Sequence, residues 1–388
     1  MQRLAQSATD PAFVQDPYPF YERARAAGPL FFWEDYGLPC AAGFAEVSAL
    51  LRDRRLGREP PPGFAPDIPP HLAPFYAVEA HSMLELEPPR HTRLRGLVLR
   101  AFTSRRIAAL APEIAALSHR LIDALPAGGC DLLPAFAQRL PVIVIARLLG
   151  VPEDRAEDLL AWSNAMVGMY QAGRNRAAED RAVAATEAFV AFMRGHVEAR
   201  RTSPGDDLIT HLIAAEADGE RLTTDEMITT CILLLNAGHE ATVHTLGNGV
   251  KALLERGMRP EGEATVEEIL RHDPPLHLFT RWVREDCEVL GVAMTAGMQV
   301  GCLLAAGNRD PAVWERPEVF DPARPVRANL AFGGGIHFCV GAPLARLELG
   351  IALPILFERL PGLALAATPR YADIYHFHGL EALEVRYR

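Results

Sequence analysis

A mainly α-helical fold with a small β region is what three features of this 388-residue chain predict. Stretches rich in Ala, Leu, Arg and Glu at residues 108–125, 156–170 and 182–200 repeat apolar side chains at helical spacing. Short Val/Leu-rich segments at 287–292 and 299–304 read as strands and form a minor part. The longest element starts where Thr223 and Glu226 have capping-box spacing; its helical pattern runs to about Arg256, a rod of roughly 50 Å at 1.5 Å per residue. With 49% hydrophobic residues, no internal repeat, and 31 prolines that mark no linker, a single domain over residues 1–388 is expected.

In chain order, the first thirty residues lack the basic start and apolar core of a signal peptide, which predicts a cytoplasmic protein. Residues 57–82, GREPPPGFAPDIPPHLAPFYAVEAHS, are too proline-rich for helix and long for a plain connection, so they are a lid candidate. In the middle of the long helix stand Asn236, Ala237, Gly238, His239 and Glu240. An interior glycine there costs about 1 kcal/mol relative to alanine, and a carboxylate faces burial, so local rules are broken where function is expected. Glu268 and Arg271, three apart on the next predicted helix, project from one face and can pair.

Charge and cysteine usage narrow the classes further. Lys plus Arg number 39 against 49 Asp plus Glu, a net charge of −10 that argues against a nucleic-acid partner. Apolar runs such as 141–145 and 231–235 fall far short of the roughly 18 residues of a spanning helix, so no membrane association is expected. The six cysteines lie far apart with no CxxC, as in a reduced protein without a disulfide framework or zinc site.

The decisive segment is 332–341, FGGGIHFCVG, followed by a helical pattern over 342–360. Three consecutive glycines let the backbone pass close to a flat partner, and Pro343 is tolerated in a first helical turn. Cys339 stands just before that helix start, where the positive helix end and nearby N–H groups favour a thiolate. With no second Cys or His at zinc spacing, a single thiolate points to a metal whose other ligands come from a cofactor, and haem iron fits.

Phe332, Gly333, His337, Cys339 and Gly341 here resemble the haem-ligand signature F-G-x-G-x-H-x-C-x-G of the cytochrome P450 family, matched at every fixed position. Glu268 with Arg271 resembles the family's ExxR motif, and Arg324 in FDPARP matches the arginine that completes its ion network; the implied role is structural. His91 and Arg95 in RHTRLR, Arg281 in LFTRWVRED and His337 resemble the family's partners for the haem propionates. Ala237 to Thr242, AGHEAT, resembles its distal-helix motif, in which Gly238 opens a groove for dioxygen and an acid followed by an alcohol relays protons. The chain departs from that motif at Ala241, because the hydroxyl has moved to Thr242, about 100° further around the helix. Ala237, Ala241 and Thr245 form a small-residue face of the kind a helix lying across a macrocycle needs.

The resemblance runs from DPYPFYERAR near Pro17 to the C-terminal segment and implies the cytochrome P450 fold, with haem b between the long helix and the Cys339 loop. It implies a monooxygenase that inserts one atom of dioxygen into a small or medium-sized hydrophobic organic substrate, with Cys339 as iron ligand and Glu240 and Thr242 as catalytic residues. Electrons would come from a ferredoxin or flavodoxin with an NAD(P)H-dependent reductase, docking near Arg100, Arg105, Arg106 and Arg346, and the enzyme would be a monomer. Candidate pocket walls are Phe75 and Tyr76, residues 167–170, residues 276–279 with His277, and residues 376–378 with His376. Two other readings stand beside this one: a peroxide-driven haem-thiolate enzyme, suggested by Ala241, and a non-catalytic haem-binding sensor or carrier.

Overall fold

The Thr223 hydroxyl accepts from the Glu226 N–H while the Glu226 carboxylate accepts from the Thr223 N–H. This reciprocal cap starts a helix that runs unbroken over Thr224–Glu255 in the computed structural model. The structure describes residues 1–388 except 172–173, 216–218, 220 and 376. Against the long helix pack Arg139–Leu149, Ala156–Val167, Arg176–Thr202, Gly262–His272 and Ala342–Arg359. Its Leu235, Leu246, Val250 and Leu253 are buried in the largest apolar core, each contributing about 1.5–3 kcal/mol relative to exposure.

The β part is a six-stranded sheet in the order Gln2–Leu4, Phe31–Trp33, Leu38–Ala41, Gln299–Leu303, Leu278–Val283, Leu56–Gly57. Cys40 pairs with Gly301 in the parallel contact at its centre, and Arg281 pairs with Val300 in the antiparallel one beside it. Phe13, Phe20 and Tyr21 pack on this sheet against its Phe31 and Trp33 as mostly edge-to-face or tilted rings. Among the described residues no helix is long and apolar enough to cross a membrane.

Several predicted elements are drawn differently. The stretch 108–125 divides at Leu110 into Ser104–Ala109 and Ala111–Asp123, with Pro112 opening the second helix. The stretch 156–170 tightens into a 3₁₀ turn after Val167, and 182–200 is the middle of the longer Arg176–Thr202. Residues 287–292 are a hairpin, Cys287–Val289 with Val292–Met294, because Leu290 and Gly291 turn the chain at φ 49° and 80°. Within the lid candidate, Pro70–Leu72 and Ala73–Glu79 are helical after all: Pro70 and Pro74 occupy first-turn positions, where a missing N–H costs nothing.

The helix Ala342–Arg359 buries Glu348 with its Oε1 unpartnered, and burial pushes the carboxyl up to about 8. The folded chain therefore holds a proton that the unfolded chain releases, so each pH unit from 4.5 towards 8 costs up to about 1.4 kcal/mol. Glu348→Gln should raise the melting temperature at pH 8 and leave it nearly unchanged at pH 5, as thermal unfolding at the two pH values would show.

Candidate active site

The backbone reaches Cys339 through a loop that only glycine fits at Gly333 and Gly335, whose φ angles are +69° and +68°. A Cβ on Gly335 would stand 2.3 Å from the Leu51 carbonyl oxygen, so this loop lies directly on the neighbouring backbone. Fully buried Asn308 anchors its start by accepting the Leu330 N–H at 2.6 Å, and the Cys339 N–H donates to the Phe332 carbonyl at 3.0 Å. Gly341 then caps Ala342–Arg359. Cys339 is exposed at the loop surface, yet the protein mass around its thiol raises it above its ordinary value, while the Gly341 and Ala342 N–H groups and the Arg95 and Arg346 charges oppose that rise. The four opposing groups are what a thiolate needs, and a bound metal cation deprotonates such a thiol outright.

Behind the loop, Arg271 grips Glu268 through Nε and Nη2, each at 2.7 Å, and spends its remaining donors on the carbonyls of Asn308, Pro317 and Val319. Both side chains are buried. Glu268 also accepts the Asp321 N–H at 2.7 Å and has Arg324 Nε at 3.7 Å. Arg324 donates to the carbonyls of Glu315, Arg316 and Val319, so the three side chains tie residues 315–321 to the helix Gly262–His272. The structural role expected of them matches this geometry.

The four propionate candidates fall in two places. His91 and His337 have ring centroids 4.4 Å apart, and His337 Nε2 is 2.9 Å from the Glu87 carboxylate. Buried Glu87 is raised by burial, but the bonds from His337 and the Arg58 N–H outweigh this and hold it below the usual carboxylate range. His91 is buried with neither ring nitrogen partnered, and burial, then the His337 and Arg95 charges, push it down to about 4. Arg95 donates to the Phe338 carbonyl at 2.6 Å, one residue before the cysteine. Arg281, 3% exposed on the sheet, has the Thr280 carbonyl as the one hydrogen-bond acceptor described for it. Orphaned imidazole nitrogens and a buried guanidinium with five donors call for an anionic acceptor, and the two haem propionates fit that demand.

On the long helix, Ala237 is exposed and Ala241 half-buried, whereas Thr242 is buried with its hydroxyl donating to the Gly238 carbonyl at 2.9 Å. The hydroxyl expected to be catalytic thus spends its proton on the helix backbone and keeps its oxygen as an acceptor. At Gly238 a Cβ would stand 2.5 Å from Ile145 Cδ1, so the small residue also lets the helix pack closely on Arg139–Leu149. Glu240 is half-buried, with Oε2 3.3 Å from His244 Nε2 and Oε1 3.9 Å from His239 Nε2. His239 is itself buried, 3.2 Å from the Ser163 hydroxyl.

The pocket candidates divide. Phe75, Val167 and Met169 are buried core, while Tyr76, Leu276 and Phe279 are half-buried. Tyr170 donates to Glu79 at 2.8 Å, and burial together with Glu85 pushes that carboxyl up to about 7. His277 belongs to a buried polar cluster and His376 lies outside the described residues. Of the arginines expected to meet a redox partner, Arg346 pairs with Glu267 and Arg106 donates to the Ala101 carbonyl, whereas Arg100 and Arg105 are exposed. Sequence reasoning missed Glu87 and Asn308, whose partners are far away in the chain; His244, four residues after Glu240, carried a readable helical spacing.

A family model described as Cytochrome P450 matches residues 255–361. Cytochrome P450 107B1 of Saccharopolyspora erythraea is 37% identical, over 98% of this chain and 97% of its own. The cytochrome P450 monooxygenase PikC of Streptomyces venezuelae is 38% identical, over 97% of this chain and 92% of its own. Among solved structures, P450BioI in complex with a fatty-acyl-ligated acyl carrier protein superposes with a TM-score of 0.92 at 33% identity, covering 98% of this chain and all of that one.

Proposed function

Because the chain belongs to the cytochrome P450 family and is a haem-binding monooxygenase, we propose that it hydroxylates a small or medium-sized hydrophobic organic substrate. In this reading residues 1–388 act as one catalytic domain, a cytoplasmic monomer that carries haem b. Cys339 would ligate the iron, with His91, Arg95, Arg281 and His337 toward the propionates and the small face of Ala237 and Ala241 across the macrocycle. When bound, that group supplies dioxygen activation, favoured by electron donation from the thiolate. The observation that carries the reading is Cys339, held by the Phe332 carbonyl and flanked by the Gly341 and Ala342 N–H groups and two arginines.

The chain's own residues bind substrate, exclude water and move protons. Glu240 holds a proton at Oε2, beside His244 Nε2 at 3.3 Å, and is the acid that passes it inward. The hydroxyls of Thr242 and Thr245 donate to helix carbonyls, so the Thr242 oxygen, a water or a substrate hydroxyl completes the path that Ala241 leaves without an alcohol. Electrons arrive from a ferredoxin or flavodoxin served by an NAD(P)H-dependent reductase, with exposed Arg100 and Arg105 in the docking patch.

Turnover with a reductase pair and dioxygen tests the proposal. Glu240→Ala should slow it by roughly 10²-fold and lower the product formed per NAD(P)H, while turnover with added peroxide, which brings its own protons, stays as it was. The missing alcohol at Ala241 favours one second reading, a peroxide-driven enzyme. It replaces the first if Glu240→Ala keeps its full reductase-driven rate and peroxide supports the wild type equally well.

A further inference from the structure

Away from the Cys339 loop, three segments meet in a buried cluster: Asp273 at the end of the helix Gly262–His272, His277 just before the strand Leu278–Val283, and His378 near the C-terminus. Each offers one ligand atom, all within 4.8 Å of one another, and no other such group of three occurs among the described residues. Asp273 Oδ1 is 3.2 Å from His378 Nδ1 and 3.6 Å from His277 Nε2. Around one metal ion with bonds of about 2.0–2.1 Å, tetrahedral ligand atoms stand about 3.3–3.4 Å apart, midway between those two distances.

The outer partners of the histidines decide which ring atoms look inward. His378 Nε2 lies 3.3 Å from the Val14 carbonyl oxygen, which only a ring N–H can meet, so a neutral ring turns its Nδ1 lone pair inward and a protonated one donates from Nδ1 to Asp273. His277 Nδ1 is 2.9 Å from the Tyr21 hydroxyl, which can accept its proton because the Tyr375 hydroxyl stands 2.7 Å beyond to take the next one. That leaves His277 Nε2 as a second inward lone pair, and this atom is fully buried with no hydrogen-bond partner. With both rings neutral, these lone pairs face a carboxylate that already accepts from the Tyr18 and Tyr371 hydroxyls, and a cation between them would offset the repulsion. Ring N–H groups that donate outward to a carbonyl and a hydroxyl are the usual second shell of metal-bound histidines. Neighbouring Arg309 is turned away to the carbonyl and Nδ1 of His272, at 2.7 and 3.1 Å.

We propose that Asp273, His277 and His378 bind one divalent transition-metal ion, zinc being the best match to two imidazoles and a carboxylate, with a water in fourth position and the Tyr18 hydroxyl donating to the Asp273 ligand oxygen. The ion joins residues 105 apart in sequence and pins the C-terminal segment to the catalytic half of the molecule. Holoenzyme expressed with added zinc should carry about one zinc per chain beside its haem iron, and zinc-edge absorption should show only N and O neighbours at about 2.0–2.1 Å. Dialysis against a chelator should lower the melting temperature by several degrees, and zinc chloride should restore it without changing the haem spectrum. His277→Ala and His378→Ala should lose the zinc; where either fails to fold, the chelator and edge measurements on the wild type still decide. Holoenzyme that holds no zinc and gains no stability from it would overturn the proposal. So would zinc that survives in folded His277→Ala and His378→Ala.

Discussion

Cys339→His is expected to abolish the strongly red-shifted Soret band that reduced, carbon monoxide-bound protein shows with a thiolate on the iron, and to end oxygenation. The reason lies in the loop. Its glycine turns, the Phe332 carbonyl and the Gly341 and Ala342 N–H groups all position one sulfur, and an imidazole reproduces neither its charge nor its electron donation. Losing about 4 kcal/mol of transition-state stabilisation would already slow turnover roughly 10³-fold, and the loss here should be at least that. Serine at Cys40, Cys130, Cys231, Cys287 or Cys302 should leave the band in place, since each of these is a free cysteine elsewhere in the fold. An unchanged spectrum in Cys339→His would remove the ligand assignment, and the proposed haem orientation with it.

Glu268→Ala should be nearly as severe, and for a different reason. Arg271 would keep its carbonyl partners and lose both charge-assisted bonds, Arg324 would lose its only described carboxylate, and the Asp321 N–H would lose its acceptor. Breaking a buried pair from one side costs about 3–5 kcal/mol, a large share of the 5–15 kcal/mol that holds a typical domain together. Little haem-loaded protein should accumulate, and what does should melt well below the wild type. Glu268→Gln keeps the shape and one acceptor oxygen, so it should fall between the two. A Glu268→Ala protein that purifies with full haem content and a normal melting temperature would show the pair to be dispensable.

What was readable in the sequence was whatever sits close together in the chain. The Cys339 loop is ten contiguous residues, Glu268 and Arg271 share one helix turn, and the long helix announces itself by its cap and periodicity. Contacts between distant segments leave no periodic trace and stay hidden. Nothing near Gly238 in sequence names Ile145, ninety-three residues earlier, as the side chain packed against it. His337 and Glu87 are 250 residues apart, and Asp273 meets His378 across 105. At the scale of one side chain, the helical wheel places Thr242 about 100° beyond Ala241 but does not show its bond back to the Gly238 carbonyl.

The parallel pairing of Leu38–Ala41 with Gln299–Leu303 has a consequence for how the chain is made. A ribosome adding about 5–20 residues per second needs between about 13 and 52 seconds to travel the 261 residues from Cys40 to Gly301. Throughout that interval the strands Phe31–Trp33 and Leu38–Ala41, with their aromatic cover, have each other but not the partner that places them at the sheet centre. The nascent N-terminus therefore travels as an apolar hairpin with an open edge, the kind of surface that chaperones hold and other chains add to. Synonymous changes that slow translation between these points should lengthen that exposure and raise the insoluble fraction while leaving the purified enzyme unaltered.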